Sequence, residues 1–350
     1  MQFAKKEYRN FNRNSYVSFI LGGDIGGTNT NLGIFGIKKN FPTLLLSFHF
    51  KSKELKGLHE AINATLNYVE KRYKIKITKT CLAVAGVLSP NKDYAKITNV
   101  KWDVSKKMLR KKSTLKKIFL INDFEAIGYG INMLDKKDVA VIKKAKKIPK
   151  APIAIVGAGT GLGKTTLIYS EEDKSYEPLP SEAGHTDFSA QNQQEIDLIS
   201  FIKKYKKIKQ NISYEQVLSG QGLINIHMFL KKSRRFKETR YTKEIDKSNN
   251  PELISKYKEI DKTCKETFRL FKIIYARFAK NIALDALAFG GVYIAGGIAP
   301  KNKEIFDRDF VMEFENNFKL SYVLRKIPVY IILNLNAGLL GAGFKAKFLQ

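Results

Sequence analysis

The stretch that decides the fold runs from Leu21 to Gly36 and is L-G-G-D-I-G-G-T-N-T-N-L-G-I-F-G. Apolar residues lead into it from Tyr16 to Leu21, and a second apolar run, Leu32 to Ile37, leads out of it. This pattern predicts two strands joined by a tight turn. Gly26 and Gly27 lie at the turn, where positive φ angles are expected. The sequence therefore predicts a β-hairpin.

The turn of this hairpin has the composition of a phosphate-binding loop. Gly26, Gly27, Thr28 and Asn29 offer backbone N–H groups, a hydroxyl and an amide. A phosphate chain can approach glycine closely because glycine has no Cβ. Asp24, at the end of the first strand, would repel phosphates unless a cation lay between them, so it predicts Mg²⁺. An ordinary glycine-rich hairpin with a solvated Asp24 is the alternative from this stretch alone.

Composition and cysteine usage indicate a soluble, folded protein. The chain has 350 residues, of which 44% are hydrophobic and 11% aromatic, enough for two domains and a substantial core. No apolar run reaches the roughly 20 residues of a membrane helix, and the N-terminus lacks the pattern of a signal peptide. Cys81 and Cys264 are far apart and predict neither a disulfide framework nor a zinc site. We expect a cytoplasmic protein that does not bind membranes.

The formal net charge of +29 raises the possibility of a nucleic-acid partner. However, the lysines are spread from Lys5 to Lys347 and are not interleaved with aromatic residues in one patch. No helix-turn-helix or zinc-finger pattern accompanies them. The charge is therefore interpreted as a general compositional bias, and nucleic acid is not expected as a partner. The positive field is still suited to attracting anionic substrates.

The following segments predict the opening of an α/β domain. Thr43 to Phe50 predicts a third strand, Leu55 to Tyr73 has the helical period, and Thr80 to Gly86 is typical of a buried parallel strand. Residues 1 to 15 are polar and are predicted to be a frayed extension or a short helix. Trp102 is interpreted as a buried wall residue, with sugar stacking as the alternative.

An Asn-Asp pair follows the next predicted strand, Ile118 to Ile121. Asn122 and Asp123 thus lie at the carboxyl end of a buried strand, where open α/β sheets place their chemistry. The alternative is that Asp123 only caps the helix that follows. The stretch itself leaves both interpretations open.

A second glycine loop, Gly157 to Thr165, follows the strand Ile153 to Val156. Residues 158 to 165 fit a loose P-loop pattern, which requires a helix directly after Lys164. Instead, Thr165 to Tyr169 is β-branched and aromatic and predicts a strand. We therefore expect a second hairpin, whose candidate phosphate-binding residues are Gly159, Thr160 and Gly161.

Two further segments carry candidate ligand-binding residues. Glu182 and His185 lie three residues apart, which suits a polar ligand better than a metal because no second histidine is nearby. Gly296 and Gly297 form a third glycine turn after the strand Val292 to Ala295.

The two glycine hairpins, each at the head of an α/β half, imply an internal pseudo-repeat with a nucleotide between the halves. The third glycine turn is then available to face adenine or ribose. This organisation resembles the actin, heat-shock ATPase and hexokinase superfamily, and it is most similar to the bacterial-type glucokinase family. The resemblance spans about residues 18 to 350 and rests on motifs in family order: G-D-I-G-G-T-N at 23–29, T-N-V-K-W at 98–102, N-D-F-E-A at 122–126, G-A-G-T-G-L-G at 157–163, S-E-A-G-H-T-D-F at 181–188, E-Q-V-L-S-G-Q-G-L at 215–223, F-G-G-V-Y-I-A-G-G-I at 289–298 and G-L-L-G at 338–341.

The resemblance implies a two-domain α/β fold of the actin-like ATPase (ribonuclease H-like) type, with the active site in the interdomain cleft. One domain would comprise residues 1–133 and 336–350, and the other residues 134–335. The implied activity is ATP-dependent phosphorylation of glucose at the 6-hydroxyl, feeding glycolysis, with ATP and Mg²⁺ bound. A homodimer is left open.

The resemblance also assigns roles to individual residues. Asp123 matches the catalytic aspartate that accepts the proton of the sugar 6-hydroxyl. The residues that match sugar-binding positions are Asn122, Glu182, His185 and Glu215. The nucleotide would be bound by Asp24, through a water on Mg²⁺, and by Gly26, Gly27, Thr28, Asn29, Gly159, Thr160, Gly161, Gly296 and Gly297.

Three positions depart from the family pattern, which usually has Arg at Asn31, Pro at Val87 and Gly at Ala183. The Ala183 methyl is expected beside the sugar contacts, which leaves mannose, fructose and glucosamine open as substrates, and ADP or polyphosphate as donors. The segment up to about Val17 has no counterpart in the family pattern. A sugar-responsive transcription regulator of the related repressor family would carry a helix-turn-helix and a cysteine-rich zinc motif, and this chain has neither.

Overall fold

A computed structural model of the chain describes residues 3–8, 10–97 and 100–349. Thr98 and Asn99, from the motif at 98–102, lie outside the described residues. The chain clusters into two compact units. The first unit comprises Met1–Asp135, Ser170–Pro180 and Asn334–Gln350, and the second comprises Lys136–Tyr169 and Ser181–Leu333. Residues 170–180, which the sequence assigns to the second domain, cluster with the first unit instead.

The strands are β1 Ala4–Glu7, β2 Ser18–Ile25, β3 Asn29–Lys38, β4 Phe41–Lys51, β5 Lys79–Val84, β6 Gly86–Leu88, β7 Tyr94–Ile97, β8 Val104–Ser105, β9 Lys117–Asn122, β10 Val139–Lys143, β11 Ile153–Ala158, β12 Leu162–Ser170, β13 Ser175–Leu179, β14 Val292–Ala295 and β15 Val329–Ile332. The α-helices are α1 Leu58–Tyr73, α2 Lys106–Lys112, α3 Asp123–Gly130, α4 Gln193–Lys206, α5 Gly220–Lys232, α6 Arg240–Ser248, α7 Pro251–Tyr257, α8 Lys262–Asp285, α9 Ile298–Lys301, α10 Arg308–Glu315, α11 Ser321–Leu324 and α12 Ala337–Ala346. Short 3₁₀ helices are Arg13–Ser15, Ser52–Glu54, Ile131–Met133, Lys136–Asp138, Ala183–His185, Tyr214–Gln216 and Lys303–Ile305.

The main sheet of the first unit has the strand order β1-β4-β3-β2-β5-β9. Strands β2, β5 and β9 are parallel, whereas β2, β3 and β4 form antiparallel pairs. Successive residues of β2 face opposite sides, as expected for a strand. Leu21 packs in one apolar cluster with Ile62 of α1, and Ile20 packs in another with Ala126 of α3 and Leu339 of α12. The sheet therefore has α1 on one face and α3 with α12 on the other.

The N-terminal segment differs from its prediction. Strand β1 pairs antiparallel with β4, with Lys6 opposite Ser47, so residues 4–7 are not a frayed extension. The side chains of all four residues are exposed. An edge strand needs only main-chain hydrogen bonds to its neighbour, and lysine is common at such edges. The polar sequence therefore carried no strand signal, while Arg13–Ser15 does form a short helix.

The strands of the second unit include the neighbours β10-β15-β14-β11-β12 in that order. Strands β11, β14 and β15 are parallel, and β11 and β12 form the predicted antiparallel hairpin. The long helix α8 supplies much of the core, with Phe271, Tyr275 and Phe278 buried. The carboxyl ends of β11 and β14 thus reach the same edge of the sheet, each followed by a glycine turn.

Helices α3 and α12 approach each other closely enough to require glycine. A methyl group at Gly341 of α12 would overlap the carbonyl oxygen of Ala126 in α3. A methyl group at Gly130 of α3 would likewise overlap the carbonyl oxygen of Ala337. In both cases the obstacle is backbone, which cannot move aside as a flexible side chain can. This glycine contact fixes the helix that begins at Asp123.

We predict that Gly341→Ala destabilises the protein although alanine is the better helix former. Overpacking of a close contact costs about 1–3 kcal/mol, more than the roughly 1 kcal/mol that alanine gains over glycine in a helix. Urea unfolding would measure the loss. Gly297→Ala is the matched control, because a methyl there meets nothing within 4 Å. Equal unfolding midpoints for the two variants would contradict the packing argument.

Candidate active site

The first glycine hairpin is closed by a hydrogen bond from the Gly26 N–H to the Asn29 carbonyl at 2.9 Å. The connection between the strands has three residues, and the predicted positive φ angle is wrong, because neither Gly26 nor Gly27 has one. A two-residue primed turn would have required it. Within the described ranges, the N–H groups of Gly27 and Thr28 have no acceptor. These N–H groups can therefore donate hydrogen bonds to a bound anion.

Ser52 holds this turn from behind, a role that the sequence did not reveal. Its hydroxyl donates to the Gly26 carbonyl at 2.6 Å, and its N–H donates to the Thr28 carbonyl at 2.9 Å. Trp102 in turn donates from its indole Nε1 to the Ser52 carbonyl at 3.1 Å. Trp102 is buried, as the preferred interpretation predicted. The tryptophan therefore supports the first glycine turn through Ser52.

Asp24 lies at the end of β2 beside the start of α12. A methyl group at Gly338 would be 3.4 Å from its Oδ2. Burial raises the pKa of Asp24 to about 6, and a hydrogen bond from Asn31 opposes that rise. Asn31 is itself oriented by His49, whose Nδ1 is 2.8 Å from the Asn31 Oδ1. Where the family pattern has arginine, this chain therefore places a neutral amide that acts on the carboxylate.

Asn122 and Asp123 occupy the junction of β9 and α3. Asn122 is the N-cap residue: its Oδ1 accepts from the Phe124 N–H at 2.8 Å. Glu125 completes the capping box by accepting from the Asn122 N–H at 2.8 Å, and it pairs with Lys92 at 2.8 Å. Asp123 is the first helical residue, and its Oδ1 also accepts from Phe124 at 2.9 Å. The N-cap residue is therefore Asn122, with Glu125 completing the capping box, and Asp123 is not the N-cap.

The second glycine hairpin is a compact turn fixed by its own backbone. The Gly159 N–H donates to the Gly161 carbonyl, and the Gly220 N–H at the start of α5 donates to the Gly159 carbonyl, both at 2.8 Å. The strand β12 follows directly, so the helix that a P-loop requires is absent from this described segment. The Lys164 Nζ lies 3.5 Å from Asp285, and this lysine belongs to a structural ion pair.

The third glycine turn lies against the second hairpin. Gly296 has a φ of +83°, and a methyl group on it would overlap the Ala158 carbonyl, so both conformation and space require glycine. Gly297 faces open space. A cavity of about 620 Å³ opens here, bounded by the β11–β12 turn, α5, α7 and α9. Its lining includes Gly159, Thr160, Gly220, Gln221, Ile224, Pro251, Ser255, Gly297 and Ile298.

Glu182, His185 and Glu215 belong to two segments that meet at the start of β12. Glu215 accepts through Oε2 from the Leu162 N–H at 2.9 Å. Gly184, between Glu182 and His185, lies so close to Leu162 that a methyl would overlap its carbonyl oxygen. Both segments are therefore held against the backbone of the same residue.

The exposed pair Glu182 and His185 lies nearby on the 3₁₀ turn, with 3.9 Å between Oε2 and Nε2. The neighbouring Ala183 packs against the apolar core of the second unit. The expectation that its methyl would lie at the sugar contacts therefore has no support in this packing. Gly184, not position 183, is the position where this turn requires glycine.

Comparison with known proteins decides the family. The family model described as Glucokinase matches residues 21–348. A glucokinase from Nostoc punctiforme is 34% identical over 345 residues, covering 94% of this chain and 99% of the relative. The chain belongs to the glucokinase family.

Solved structures agree with this assignment. The glucokinase of an Antarctic psychrotroph matches with a TM-score of 0.78 at 26% identity, covering 94% of this chain and 98% of that one. A ROK family glucokinase from Streptomyces griseus, solved with glucose and AMPPNP, matches with a TM-score of 0.63 at 16% identity, covering 94% of this chain and 99% of that one. The prediction of an α/β fold of the actin-like ATPase type is confirmed.

The available side-chain ligands limit which kind of metal site this member of the glucokinase family can form. In residues 3–8, 10–97 and 100–349, no group of three or more His, Cys, Asp or Glu side chains could hold a metal ion. Mg²⁺ in kinases is typically bound by one or two carboxylates together with substrate phosphates and waters. A single carboxylate, Asp24, beside a turn with open N–H groups fits that mode. The same described ranges contain no helix long and apolar enough to cross a membrane.

We predict that Lys164→Ala lowers kcat by less than about tenfold, because the pairing with Asp285 leaves phosphate binding to backbone N–H groups. A P-loop lysine would contact the phosphates directly. Steady-state kinetics at saturating ATP would measure the change. A loss of about 10³-fold or more, equivalent to about 4 kcal/mol of barrier, would show that Lys164 acts on the phosphates.

We predict that kcat/KM for MgATP falls as the pH decreases through about 6, where Asp24 takes up a proton. Because kcat/KM reports pKa values of the free enzyme, the test is the pH at which this fall occurs. Asn31→Ala removes a hydrogen bond that lowers the pKa of Asp24, so the acid limb should move to higher pH. An unchanged limb in Asn31→Ala would mean that another group titrates there.

Proposed function

We propose that this chain transfers the γ-phosphoryl group of ATP to the 6-hydroxyl of glucose. The observation that carries the proposal is that residues other than Asp123 form the N-terminal capping box of α3. Asn122 and Glu125 satisfy the helix end, so the acid at Asp123 is not needed as its N-cap. Asp123 follows a parallel strand at its carboxyl end, which supports a chemical role. Its Oδ1 is oriented by the Phe124 N–H.

The sugar is bound by side chains with complementary hydrogen-bonding capacity. In this proposal Glu182 and Glu215 accept hydrogen bonds from the ring hydroxyls, and His185 donates through a ring N–H. Asn122 contributes its NH₂ group, since its Oδ1 already caps the helix. The hydrogen bond from Leu162 fixes one oxygen of Glu215 and thereby orients the other. At the half-buried Glu215, a sugar lacking the matched hydroxyl would leave an acceptor unpaired, which discriminates between substrates.

The nucleotide is bound chiefly by backbone groups. We assign the phosphates to the open N–H groups of Gly27 and Thr28 and to the Gly159–Gly161 turn, and the nucleoside to the cavity beside Gly297. A cavity of about 620 Å³ next to a phosphate turn favours a nucleotide over polyphosphate, which has no group to fill it. Asp24 would hold Mg²⁺ through water. When bound, this ion would neutralise charge on the transferring phosphoryl group.

The reaction then needs positioning and one base. Asp123 accepts the proton of the sugar 6-hydroxyl as its oxygen forms a bond to the γ-phosphorus, and the bond from that phosphorus to the bridging oxygen of ADP breaks. Phosphoryl transfer of this kind depends mainly on alignment and charge stabilisation. The products are glucose 6-phosphate and ADP. Because the partly buried Ala183 packs against the apolar core of the second unit, its methyl group gives no reason to prefer another hexose to glucose.

We predict that Asp123→Asn keeps glucose binding near normal and lowers kcat by about 10²–10⁴-fold, or roughly 3–5 kcal/mol of barrier. Asparagine is nearly isosteric and still accepts from Phe124, but it cannot take a proton. Coupled detection of ADP formation would give kcat, and a calorimetric titration would give the glucose affinity.

Thermal unfolding of the same variant is the control for folding, since Asn and Asp serve equally well near a helix N-terminus. Glu125→Gln is a useful comparison, because it alters the capping box and the Lys92 pair without removing the proposed base. If Asp123→Asn folds, binds glucose and retains most of its kcat, Asp123 is not the base.

A further inference from the structure

A second cavity, of about 520 Å³, lies in the second unit and contains none of the candidate sugar or nucleotide residues. Four segments surround it: the loop after Phe188, the 3₁₀ turn at Tyr214, one face of α8, and the end of α10 with the loop that follows it. We propose that this cavity is a second, non-catalytic binding site for a neutral hexose. Its size is within the range of small-molecule sites, about 300–1,000 Å³.

The walls of the cavity are rich in hydrogen-bonding groups. Arg277, Lys280 and Asn281 occupy positions i, i+3 and i+4 of α8 and therefore share one face of the helix. Across from them, the Asn317 Oδ1 accepts from the N–H groups of Lys319 and Leu320, so its NH₂ group remains for other partners. Among the described residues, the side chain of Asn316 has no hydrogen-bond partner. Amides that both donate and accept match the hydroxyl groups of a sugar.

The charges of the cavity favour a neutral ligand over an anion. Arg277 donates to Glu313 at 2.7 Å and to Glu195 at 2.5 Å. Lys280 is 4.0 Å from Glu313 and donates to the Asn316 carbonyl at 2.8 Å. Both cations thus already face carboxylates, and a phosphate would have to displace Glu313. A neutral polyhydroxylated molecule can bind without breaking these pairs.

Phe318 adds an apolar surface to this polar site. Its side chain is 98% exposed although it lines the cavity. A flat aromatic ring beside amide and hydroxyl groups suits the two faces of a pyranose, which carries C–H groups on one side and hydroxyls around its edge. Because the Phe318 ring is not packed into the core, its faces are available for contact with a ligand.

Two residues that line the cavity belong to the segments that carry the candidate sugar residues. Tyr214 lines it, accepts from the Asn281 Nδ2 at 3.2 Å and directly precedes Glu215. Ser189 lines it as well and follows Phe188, whose N–H donates to the Ile212 carbonyl at 2.8 Å. A hexose bound here would therefore contact residues of the same two segments, at Ser189 and Tyr214.

Calorimetric titration of the full chain with glucose, without nucleotide, tests the proposal. We expect two glucose molecules per chain, the second with a Kd near about 1 mM or tighter. Phe318→Ala should weaken one of the two sites by at least about tenfold. Asn317→Asp, which keeps the acceptor for Lys319 and Leu320 but loses the NH₂ donor, should weaken the same site.

Tyr322→Ala is the matched control, because this aromatic residue of α11 is also exposed, at 59%, but does not line the cavity. It should retain both sites. A single glucose per wild-type chain, or two sites that Phe318→Ala leaves unchanged, would overturn the proposal. Glucose phosphorylation measured in parallel separates the two questions: a chain that binds two glucose molecules without phosphorylating either contradicts only the proposed function.

Discussion

The glycine contact between α12 and α3 is the constraint on which the candidate residues Asp24 and Asp123 of the first unit depend. Gly341 and Gly130 bring the two helix backbones together, and the same helix α12 places Gly338 against the carboxylate of Asp24. Helix α12 therefore positions Asp123 by packing against α3. The first turn of α12 also forms part of the surroundings of Asp24. Asp24 lies in β2, and Asp123 begins the helix that directly follows β9 of the same sheet. Packing on this sheet face therefore fixes the distance between the proposed base and the proposed metal ligand.

The sequence predicted the features that depend on local pattern. Both glycine hairpins, the buried parallel strand β5 and the strand after Lys164 follow from period and residue type, and the structure confirms them. The sequence could not predict contacts between segments that are distant along the chain. Ser52 supports the first turn although it lies 24 residues after Thr28 in the sequence. No local sequence pattern predicts this contact. Strand β1 was missed because its pairing uses only backbone groups.

The net charge of +29 and the candidate site involve different residues. Lysines close to the candidate residues are engaged by acids: Lys92 pairs with Glu125, and Lys164 pairs with Asp285. Exposed charges more than about 8 Å apart are largely screened at physiological ionic strength. The surface lysines can therefore raise the encounter rate with anionic substrates at low salt, whereas in the proposed function the phosphates are bound by fixed N–H groups of the turns.

The first and third glycine turns look alike in sequence, yet the physical reasons for glycine differ between them. At Gly26 and Gly27 the φ angles are ordinary, and the benefit is backbone N–H groups that an anion can reach. Gly296 is fixed both by its φ of +83° and by the Ala158 carbonyl, whereas Gly297 meets nothing within 4 Å. A methyl group at Gly297 would therefore be felt by a ligand in the cavity and not by the fold. The fold therefore gives no packing reason for glycine at position 297, whereas at Gly296 both the φ angle and the Ala158 carbonyl require it. This difference is consistent with the proposal that a ligand lies against Gly297.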